Sequence, residues 1–272
     1  DMESGHPSLA ECGEMLRDAL REGLISEADL DVAVRRVLQV KFEMGWFDKS
    51  VTFDSSVLRS PAHRELALRA AHESIVMVKN NGVLPLKTRR IALTGPNAAN
   101  AMNQLGDYTA FQRREAITTV FDALKAESGC ELRFEQGCRI RSMSRSGFAA
   151  AVAAAEKSDC CIAVLGGSSW HDAEETVDPV TGAVIGAEGD TAESTEKESG
   201  EGTDRASLNL CGVQLELLRE LKKTGKPLIA VLIEGRPLQV DEILELADAV
   251  LIAFYPGEAG GRAIADILTG RV

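Results

Sequence analysis

Aromatic residues are scarce in this chain, at 4% of its 272 residues, so a broad aromatic platform for stacking ligands is not expected within it. The six cysteines and four histidines show no metal-ligand spacing and no dense disulfide framework. No phosphate loop and no G-x-G-x-x-G signature occurs, which disfavours a nucleotide-binding domain. There is also no secretory signal and no apolar run of about 20 residues, so the sequence predicts no membrane-spanning segment.

The cysteines are expected to be structural. Cys160 and Cys161 fall within a run that has the character of a buried strand, where cysteine behaves as a small core residue. A disulfide between Cys130 and Cys138, across a turn, is the less favoured alternative to free thiols.

The remaining composition is that of a soluble globular protein, with 44% hydrophobic and 26% charged residues. The net charge of -12 disfavours nucleic acid and anionic membranes as partners. The compartment stays open between cytoplasm, periplasm and secretion. Because the chain starts at Asp1-Met2 and stops just after an apolar helical pattern, we expect it to be a fragment at both ends.

Most of the negative charge is concentrated in one segment. Residues 170–204 contain eleven acidic side chains and one basic one, Lys197, so the rest of the chain is nearly neutral. Such a segment is by default a solvated surface loop, and this is the expectation for most of its acids.

The first part of the chain has a helical pattern, from Ser8 to about Trp46. Ser26 stands three residues before Asp29 in a capping-box arrangement. The apolar residues that follow share one helix face: Leu30, Ala33, Val34, Val37 and Leu38. A second helix is predicted over Pro61–Ser74. Two or three helices with this much apolar surface cannot bury it alone, so an upstream domain is expected.

Beyond these helices, strands and helices alternate. Strands are predicted at Ile75–Lys79, Arg90–Leu93, Glu131–Gln136, Asp159–Leu165, Pro227–Ile233 and Ala249–Phe254. Helices are predicted at Thr118–Glu127, Ser146–Lys157, Val213–Thr224, Leu238–Leu246 and Ala259–Leu268. Several strands are unbroken apolar runs, which indicates burial on both faces. The predicted fold class is therefore α/β, with a mostly parallel sheet sandwiched by helices.

Two glycine turns follow predicted strands, at Thr94–Asn97 and at Leu165–Ser169. Ligands bind at the carboxyl ends of strands in open α/β sheets, which makes Ser168 a candidate for contact with substrate. For the first turn a simple tight turn is the better interpretation; for the second the two interpretations are balanced. Trp170 starts the acidic segment, where it either stacks on a sugar ring or anchors the loop.

Glu198 and Glu201 lie on a glycine-rich connection that ends the acidic segment. Cleavage of a glycosidic bond needs one carboxyl group to protonate the departing oxygen and a second one across the bond. Two glutamates three residues apart on one loop cannot straddle a substrate, so at most one of them is the acid. On spacing alone, two surface glutamates remain the simpler interpretation.

The order of motifs along the chain resembles that of glycoside hydrolase family 3. The matching segments are Asp1-Met2, Val34-Arg35-Arg36-Val37-Leu38 with Gly45-x-Phe47-Asp48, Glu73–Asn80 with Leu84-Pro85-Leu86, Gly95-Pro96, Gly106-Asp-Tyr108, Gly137-Cys138, Glu201-Gly202-x-Asp204-Arg205, Gln214, Gly235-Arg236-Pro237 and Tyr255-Pro256-Gly257-x-x-Gly260-Gly261. Each motif is weak alone, but together, in the family's order, they are specific.

The resemblance implies a (β/α)₈ barrel followed by an α/β sandwich, with the substrate between them. Residues 1–60 would then be the end of the barrel and a linker, and residues 61–272 the sandwich, with an active-site loop at 167–204. The family's nucleophile is a barrel aspartate in a Ser-Asp-Trp type motif, which is absent here. The resemblance places the general acid/base at Glu201, with Glu198 as second choice, and gives Arg205 a structural role on Asp204 or the loop backbone.

The implied function is part of a retaining, exo-acting β-glycosidase, most simply a β-glucosidase acting on oligosaccharides or β-glucosides. It requires no metal or organic cofactor, and the fragment alone is expected to be inactive. The alternative is a non-catalytic module that binds a sugar or a protein. The sequence leaves the oligomeric state open, a homodimer included.

Overall fold

The computed structural model describes residues 9–48, 50, 52, 54–110, 112–169, 176–177, 184–185, 196–200 and 203–272. The chain divides into two compact units, Asp1–Leu58 and Arg59–Val272. The assignment of residues 1–60 to the end of a barrel and a linker stays a prediction. Among the described residues, no helix combines the length and the apolar character needed to cross a membrane.

The first unit is helical, with α1 at Leu9–Arg21, α2 at Glu27–Glu43 and a 3₁₀ turn at Ser55–Val57. The predicted capping box of α2 is confirmed. The Ser26 side chain accepts a hydrogen bond from the backbone N–H of Asp29, whose carboxylate accepts one from the backbone N–H of Ser26 at 2.9 Å. None of the residues of α2 is buried, in line with the expectation that its apolar stripe is not covered within this segment.

The second unit begins with α3 at Pro61–Ser74, which Ser60 caps through its side chain. Its strands are β1 Val76–Asn80, β2 Arg90–Thr94, β3 Glu131–Glu135, β4 Cys160–Gly166, β5 Thr176–Val177, β6 Val184–Ile185, β7 Leu228–Ile233 and β8 Ala249–Phe254. The helices between and after them are α4 Val120–Lys125, α5 Phe148–Glu156, α6 Gln214–Lys222, α7 Asp241–Leu246 and α8 Gly260–Thr269. All predicted strands and helices are confirmed, with small shifts at their ends.

Six of the strands form one sheet, in the order β1-β8-β7-β4-β2-β3. Five strands run parallel, and only the edge strand β1 is antiparallel to its neighbour β8. The short strands β5 and β6, which the sequence did not predict, pair with each other in antiparallel fashion. The fold class is thus α/β, as predicted.

Both faces of the sheet are covered. Along β4, Cys161, Ala163 and Leu165 pack into a core that also holds side chains of α5, α6 and α7. The alternate residues Cys160, Ile162 and Val164 pack on the opposite face with side chains of α4 and α8. The seven residues of β4 and the six of β7 are all buried, which explains their unbroken apolar runs.

All six cysteines are free, so the alternative of a bridge between Cys130 and Cys138 is wrong. Cys160 and Cys161 are buried core residues, as predicted. Burial raises the pKa of Cys160 to about 12, and that of Cys161 is also raised, so both thiols stay protonated and inert.

Candidate functional site

The sheet has its topological switch point between β2 and β4. From β2 the chain passes to β3 on one side, then returns to β4 on the other. The two loops that leave these strands diverge at their carboxyl ends, where open α/β sheets bind ligands. A crevice of about 330 Å³ opens at this edge, lined by Pro96, Asn100, Asn103, Gln136, Arg139, Ile140 and Glu196.

Both turns at the switch point require glycine. Gly95 has a φ of 102° and Gly166 a φ of 127°, in the region that side chains disfavour. A Cβ on Gly95 would lie 2.1 Å from the carbonyl oxygen of Val164, and one on Gly166 would lie 1.9 Å from that of Ile233. The close approach of backbone to backbone therefore supports the simple tight-turn interpretation of the Gly95 turn.

A buried amide network reaches the crevice through Asn103, one of its lining residues. Asn97, which is fully buried, donates from Nδ2 to the carbonyl oxygens of Leu165, Gly167 and Ile233 at 3.3, 3.0 and 3.2 Å. Its Oδ1 accepts from Asn103 Nδ2 at 2.8 Å, and Asn103 Oδ1 accepts from the Ser168 hydroxyl at 2.8 Å. Ser168 is thus part of this network and is 1% exposed; its contact with substrate stays a prediction.

Residues 196–200 are attached to this network at Ser168. The backbone N–H groups of Glu198 and Ser199 both donate to the carbonyl oxygen of Ser168, at 2.9 and 3.3 Å. Lys197, Glu198 and Ser199 are all buried. The default expectation of solvated acids is therefore wrong for Glu198.

The carboxylate of Glu198 is held by two neighbours. Arg205 donates from Nη1 to Glu198 Oε2, and from Nη2 to the carbonyl oxygen of Asn209. The other carboxyl oxygen, Oε1, packs against Gly167 and has no hydrogen-bond partner among the described residues. Arg205 thus has a structural role on the loop, as predicted. Its carboxylate partner is Glu198 rather than Asp204, which is exposed.

The two residues before Glu198 are anchored as well. Glu196 forms an ion pair with Arg139 Nε at 2.9 Å and accepts from the backbone N–H of Ile140 at 2.5 Å. The buried ammonium of Lys197 lies 3.6 Å from Asp107 Oδ1. Charges from the β2–β3 connection and from the segment after β3 therefore fix residues 196–197 on both sides.

Gln214, at the start of α6, joins this segment to the sheet. Its Oε1 accepts from the backbone N–H of Gly166 at 3.0 Å. Its Nε2 donates to three carbonyl oxygens, those of Gly166, Ile140 and Cys211, at 2.9, 3.2 and 3.2 Å. A fully buried side-chain amide thus satisfies backbone groups at the end of β4.

Tyr255, directly after β8, contacts the same segment at Ser199. Its hydroxyl lies 2.9 Å from Ser199 Oγ, and its ring packs against Gly235, where a Cβ would lie 2.4 Å from the ring. Burial raises the pKa of Tyr255, so its hydroxyl stays protonated and available as a donor.

Glu234 is a residue of this site that the sequence analysis missed. It follows β7 directly and is 2% exposed, and its Oε2 has no hydrogen-bond partner among the described residues. Burial, with a smaller contribution from the charge of Glu198, raises the pKa of Glu234 to about 7. Its position at the carboxyl end of a buried parallel strand was the signal that could have found it.

Glu201 and Trp170 lie outside the described residues, so the structure does not place them. The arrangement brings together Ser168 and Glu198 from the predicted site. Within the described part of the chain, no group of three or more histidine, cysteine, aspartate and glutamate side chains is arranged to hold a metal ion.

Comparisons with known proteins give the family of the chain. The sequence profile of the glycosyl hydrolase family 3 C-terminal domain matches residues 75–272. A β-xylosidase of Formosa agariphila is 34% identical over 271 residues, which cover 95% of this chain and 34% of that protein.

Solved structures give the same family. A β-glucosidase from Erythrobacter marinus aligns with a TM-score of 0.74 at 34% identity, over 95% of this chain and 35% of that one. A β-glucosidase from Listeria innocua in complex with glucose aligns with a TM-score of 0.76 at 27% identity, over 94% of this chain and 32% of that one.

The chain spans about a third of the length of these relatives. The profile match covers the whole sheet and the switch-point site, and the identity with the relatives extends to the helical segment before it. The chain therefore belongs to glycoside hydrolase family 3, and residues 75–272 correspond to its C-terminal domain.

Proposed function

We propose that this chain is part of a retaining, exo-acting β-glycosidase, and that it supplies the loop with the general acid/base. Relatives of the same family that are named β-xylosidase and β-glucosidase support the activity. The observation that carries the proposal is the acidic segment 196–200, held by buried contacts at the switch point of the sheet. Such a segment is positioned rather than left loose, as a catalytic loop requires.

The reaction needs a second carboxylate that this chain does not supply. In a retaining glycosidase, one carboxylate attacks the anomeric carbon while the other protonates the departing oxygen. We place the attacking aspartate on an upstream (β/α)₈ barrel, following the family's plan. The glutamate that gave up its proton then takes one from the water that releases the sugar.

Glu201 is our first choice for the acid/base and Glu198 the second. Glu198 is only 3% exposed, and one of its carboxyl oxygens is bound to Arg205. A group that must reach a glycosidic oxygen outside this domain needs more accessible surface than Glu198 has, and the family resemblance points to Glu201. The unpartnered Oε1 of Glu198 is the observation that keeps it as the second candidate.

The sugar is the finer part of the proposal. We take β-glucosides as the first substrates to test and β-xylosides as the second. Both are tested because relatives named β-glucosidase and β-xylosidase match the chain. No metal or organic cofactor has a role in the proposed mechanism.

The experiment compares Glu201→Ala with Glu198→Ala in the full-length protein, on aryl β-glucosides and β-xylosides with good and poor leaving groups. Loss of the acid should lower turnover of the poor leaving groups by about 10²–10⁴-fold. Good leaving groups need little protonation, and azide should restore turnover as a β-glycosyl azide. Glu156→Ala, which removes an exposed carboxylate on α5, is the matched control.

Each outcome assigns a role. A leaving-group-dependent loss in one variant assigns the acid/base to that residue. If neither variant loses more than the Glu156→Ala control, the acid lies outside this loop and the proposed role is wrong. If the unmutated protein hydrolyses neither class of substrate but binds sugar, the alternative of a non-catalytic module is correct.

A further inference from the structure

Tyr255 has no part in the mechanism proposed above, although it contacts the segment on which the acid/base is placed. Its hydroxyl oxygen lies 2.9 Å from Ser199 Oγ. Ser199 is 3% exposed, and it stands between the two candidate acids, one residue after Glu198 and two before Glu201. A contact that fixes Ser199 therefore acts on either candidate.

The end of β8 turns the chain immediately before Tyr255. The pairing of β8 with β7 skips one residue, because Ile233 pairs with Phe254 whereas the residue before Ile233 pairs with Ile252. Phe254 then has a φ of 53°, in the left-handed region that a bulky side chain disfavours. An extra residue in a strand re-aims the side chains that follow it, and a disfavoured φ persists only where the surrounding contacts hold it. The direction of Tyr255 is thus imposed by the fold.

The ring of Tyr255 has its place because residue 235 is a glycine. A Cβ on Gly235 would lie 2.4 Å from the ring and 2.6 Å from the hydroxyl oxygen of Tyr255. Gly235 does not have a positive φ, so its backbone conformation does not require glycine. The ring also lies next to Gly106, where a Cβ would be 3.6 Å away, an ordinary contact. The missing side chain at Gly235 is therefore what admits the ring.

Asp107 holds the same segment from a second direction. Its Oδ1 lies 3.6 Å from the buried Lys197 Nζ, and its Oδ2 would be 2.7 Å from a Cβ on Gly200. Contacts at residues 197 and 200 thus flank the contact of Tyr255 with Ser199. A segment held at successive residues has little freedom to shift its carboxyl groups relative to the sheet.

We propose that Tyr255 is a positioning residue for the general acid/base, and that it acts through its hydrogen bond to Ser199. The bond joins the end of β8 to the segment 196–200, so it fixes the distance of this segment from the sheet. A proton donor must be held close to the departing oxygen, and a displacement of about 1 Å can cost about 10²-fold in rate. The consequence for catalysis rests on the function proposed above; the hydrogen bond does not.

Tyr255→Phe tests the proposal, because it keeps the ring against Gly235 and removes only the hydroxyl group. The readout is kcat/KM of the full-length protein on aryl β-glucosides and β-xylosides with good and poor leaving groups. On poor leaving groups we expect a loss of about 10-fold or more, as a part of the roughly 10²–10⁴-fold that a general acid supplies. On good leaving groups the loss should stay within about twofold, because these groups depart with little help from an acid.

Ser199→Ala removes the other partner of the same bond, so it should give the same dependence on the leaving group. In the double variant the loss should be no larger than in either single variant, because the same bond is removed in all three. Losses that multiply would show that the two residues act independently, which would overturn the proposal. Ser144→Ala, which changes an exposed serine, is the matched control and should keep the kinetics of the parent.

Gly235→Ala tests the same bond without changing either partner. The added Cβ would displace the ring of Tyr255, so the variant should reproduce the loss on poor leaving groups. Gly106→Ala adds a Cβ at an ordinary distance from the same ring and should keep the kinetics of the parent. Equal kinetics in the two glycine variants would contradict the role of the ring position.

Unfolding measurements separate this proposal from the proposed function. Coupling between Tyr255→Phe and Ser199→Ala in the free energy of unfolding reports the hydrogen bond without any activity. If there is no coupling, the bond is absent and the proposal is wrong, whatever the enzyme does. If Tyr255→Phe does not fold, Ser199→Ala and Gly235→Ala still test the dependence on the leaving group.

The kinetic outcomes then distinguish the two roles. If the coupling is present but Tyr255→Phe lowers good and poor leaving groups alike, the residue is only structural; the positioning role is wrong and the proposed function stands. If the coupling is present but the unmutated protein hydrolyses no glycoside, the proposed function fails, and the positioning role fails with it.

Discussion

Glu198 Oε1 lies so close to Gly167 that a Cβ added to this glycine would be 1.8 Å from that oxygen and 2.4 Å from the carboxyl carbon. Gly167 does not have a positive φ, so its backbone conformation is open to any residue. The requirement for glycine at this position is therefore steric, and it comes from a residue 31 positions further along the chain.

Gly167→Ala should displace Glu198 and destabilise the protein by about 1–3 kcal/mol, the usual cost of overpacking a close contact. Urea unfolding of the full-length protein measures it. Gly106→Ala is the matched control, because its Cβ would lie 3.6 Å from Tyr255, an ordinary contact. In the background of Glu198→Ala the cost of Gly167→Ala should shrink; an unchanged cost would contradict the contact.

The amide nitrogen of Asn97 and the amide oxygen of Asn100 bond to the backbone, which gives a matched pair of substitutions. Asn97 donates from Nδ2 to three carbonyl oxygens, whereas Asn100 accepts at Oδ1 from the backbone N–H groups of Met102 and Asn103 at 3.0 and 3.2 Å. An aspartate can replace the acceptor but not the donor.

We therefore expect Asn97→Asp to lower the free energy of unfolding by about 3 kcal/mol or more near neutral pH, because it buries a charge against carbonyl oxygens. Asn100→Asp should stay within about 0.5 kcal/mol of the parent. Chemical denaturation of both variants measures these free energies of unfolding. Similar decreases in the two variants would show that the network of Asn97 is not as described.

Arg205→Ala should cost about 3–5 kcal/mol, because it leaves the charge of Glu198 buried without its partner. Arg219→Ala is the control for a surface pair: Arg219 bonds to Glu242 at 2.5 and 2.8 Å, but both side chains are about 40% exposed or more, and its loss should cost about 1 kcal/mol at most. Adding Glu198→Gln to Arg205→Ala should restore part of the stability. Equal costs for the two arginines would contradict the buried pair.

The sheet was predictable because its central strands are buried on both faces. The continuous apolar runs at Cys160–Gly166 and Leu228–Ile233 leave no polar face for solvent, so periodicity and length were sufficient. The antiparallel direction of Val76–Asn80 was not predictable, because it depends on which edge the chain enters after α3. No local residue pattern encodes that choice.

The site was predictable only where the order of family motifs marks it. Glu198 was a candidate because it lies on the glycine-rich connection that the family resemblance marks, but its burial depends on Ser168 and Gly167, about 30 residues earlier. Glu234 carries only a weak signal, its place at the end of a buried strand, and its burial, at 2% exposed, is visible only in the folded chain. Long-range contacts, rather than residue type, decide which carboxyl groups are functional candidates here.

The stability of the protein should depend on pH through Glu234. Its pKa is about 7 in the folded protein and near the ordinary value of 4.5 when unfolded. Between these values the folded protein binds the extra proton, so the contribution of Glu234 to stability is greatest below pH 4.5 and is lost as the pH rises to about 7. The loss is on the order of 3 kcal/mol, and above this window it no longer changes.

Glu234→Gln removes this dependence. The free energy of unfolding of this variant, relative to that of the parent, should therefore rise across the same window. Glu156→Gln should show no such trend. Denaturant unfolding of the three proteins below and above the window measures it. If the difference between Glu234→Gln and the parent is the same at both ends, Glu234 ionises at its ordinary pKa in the folded protein.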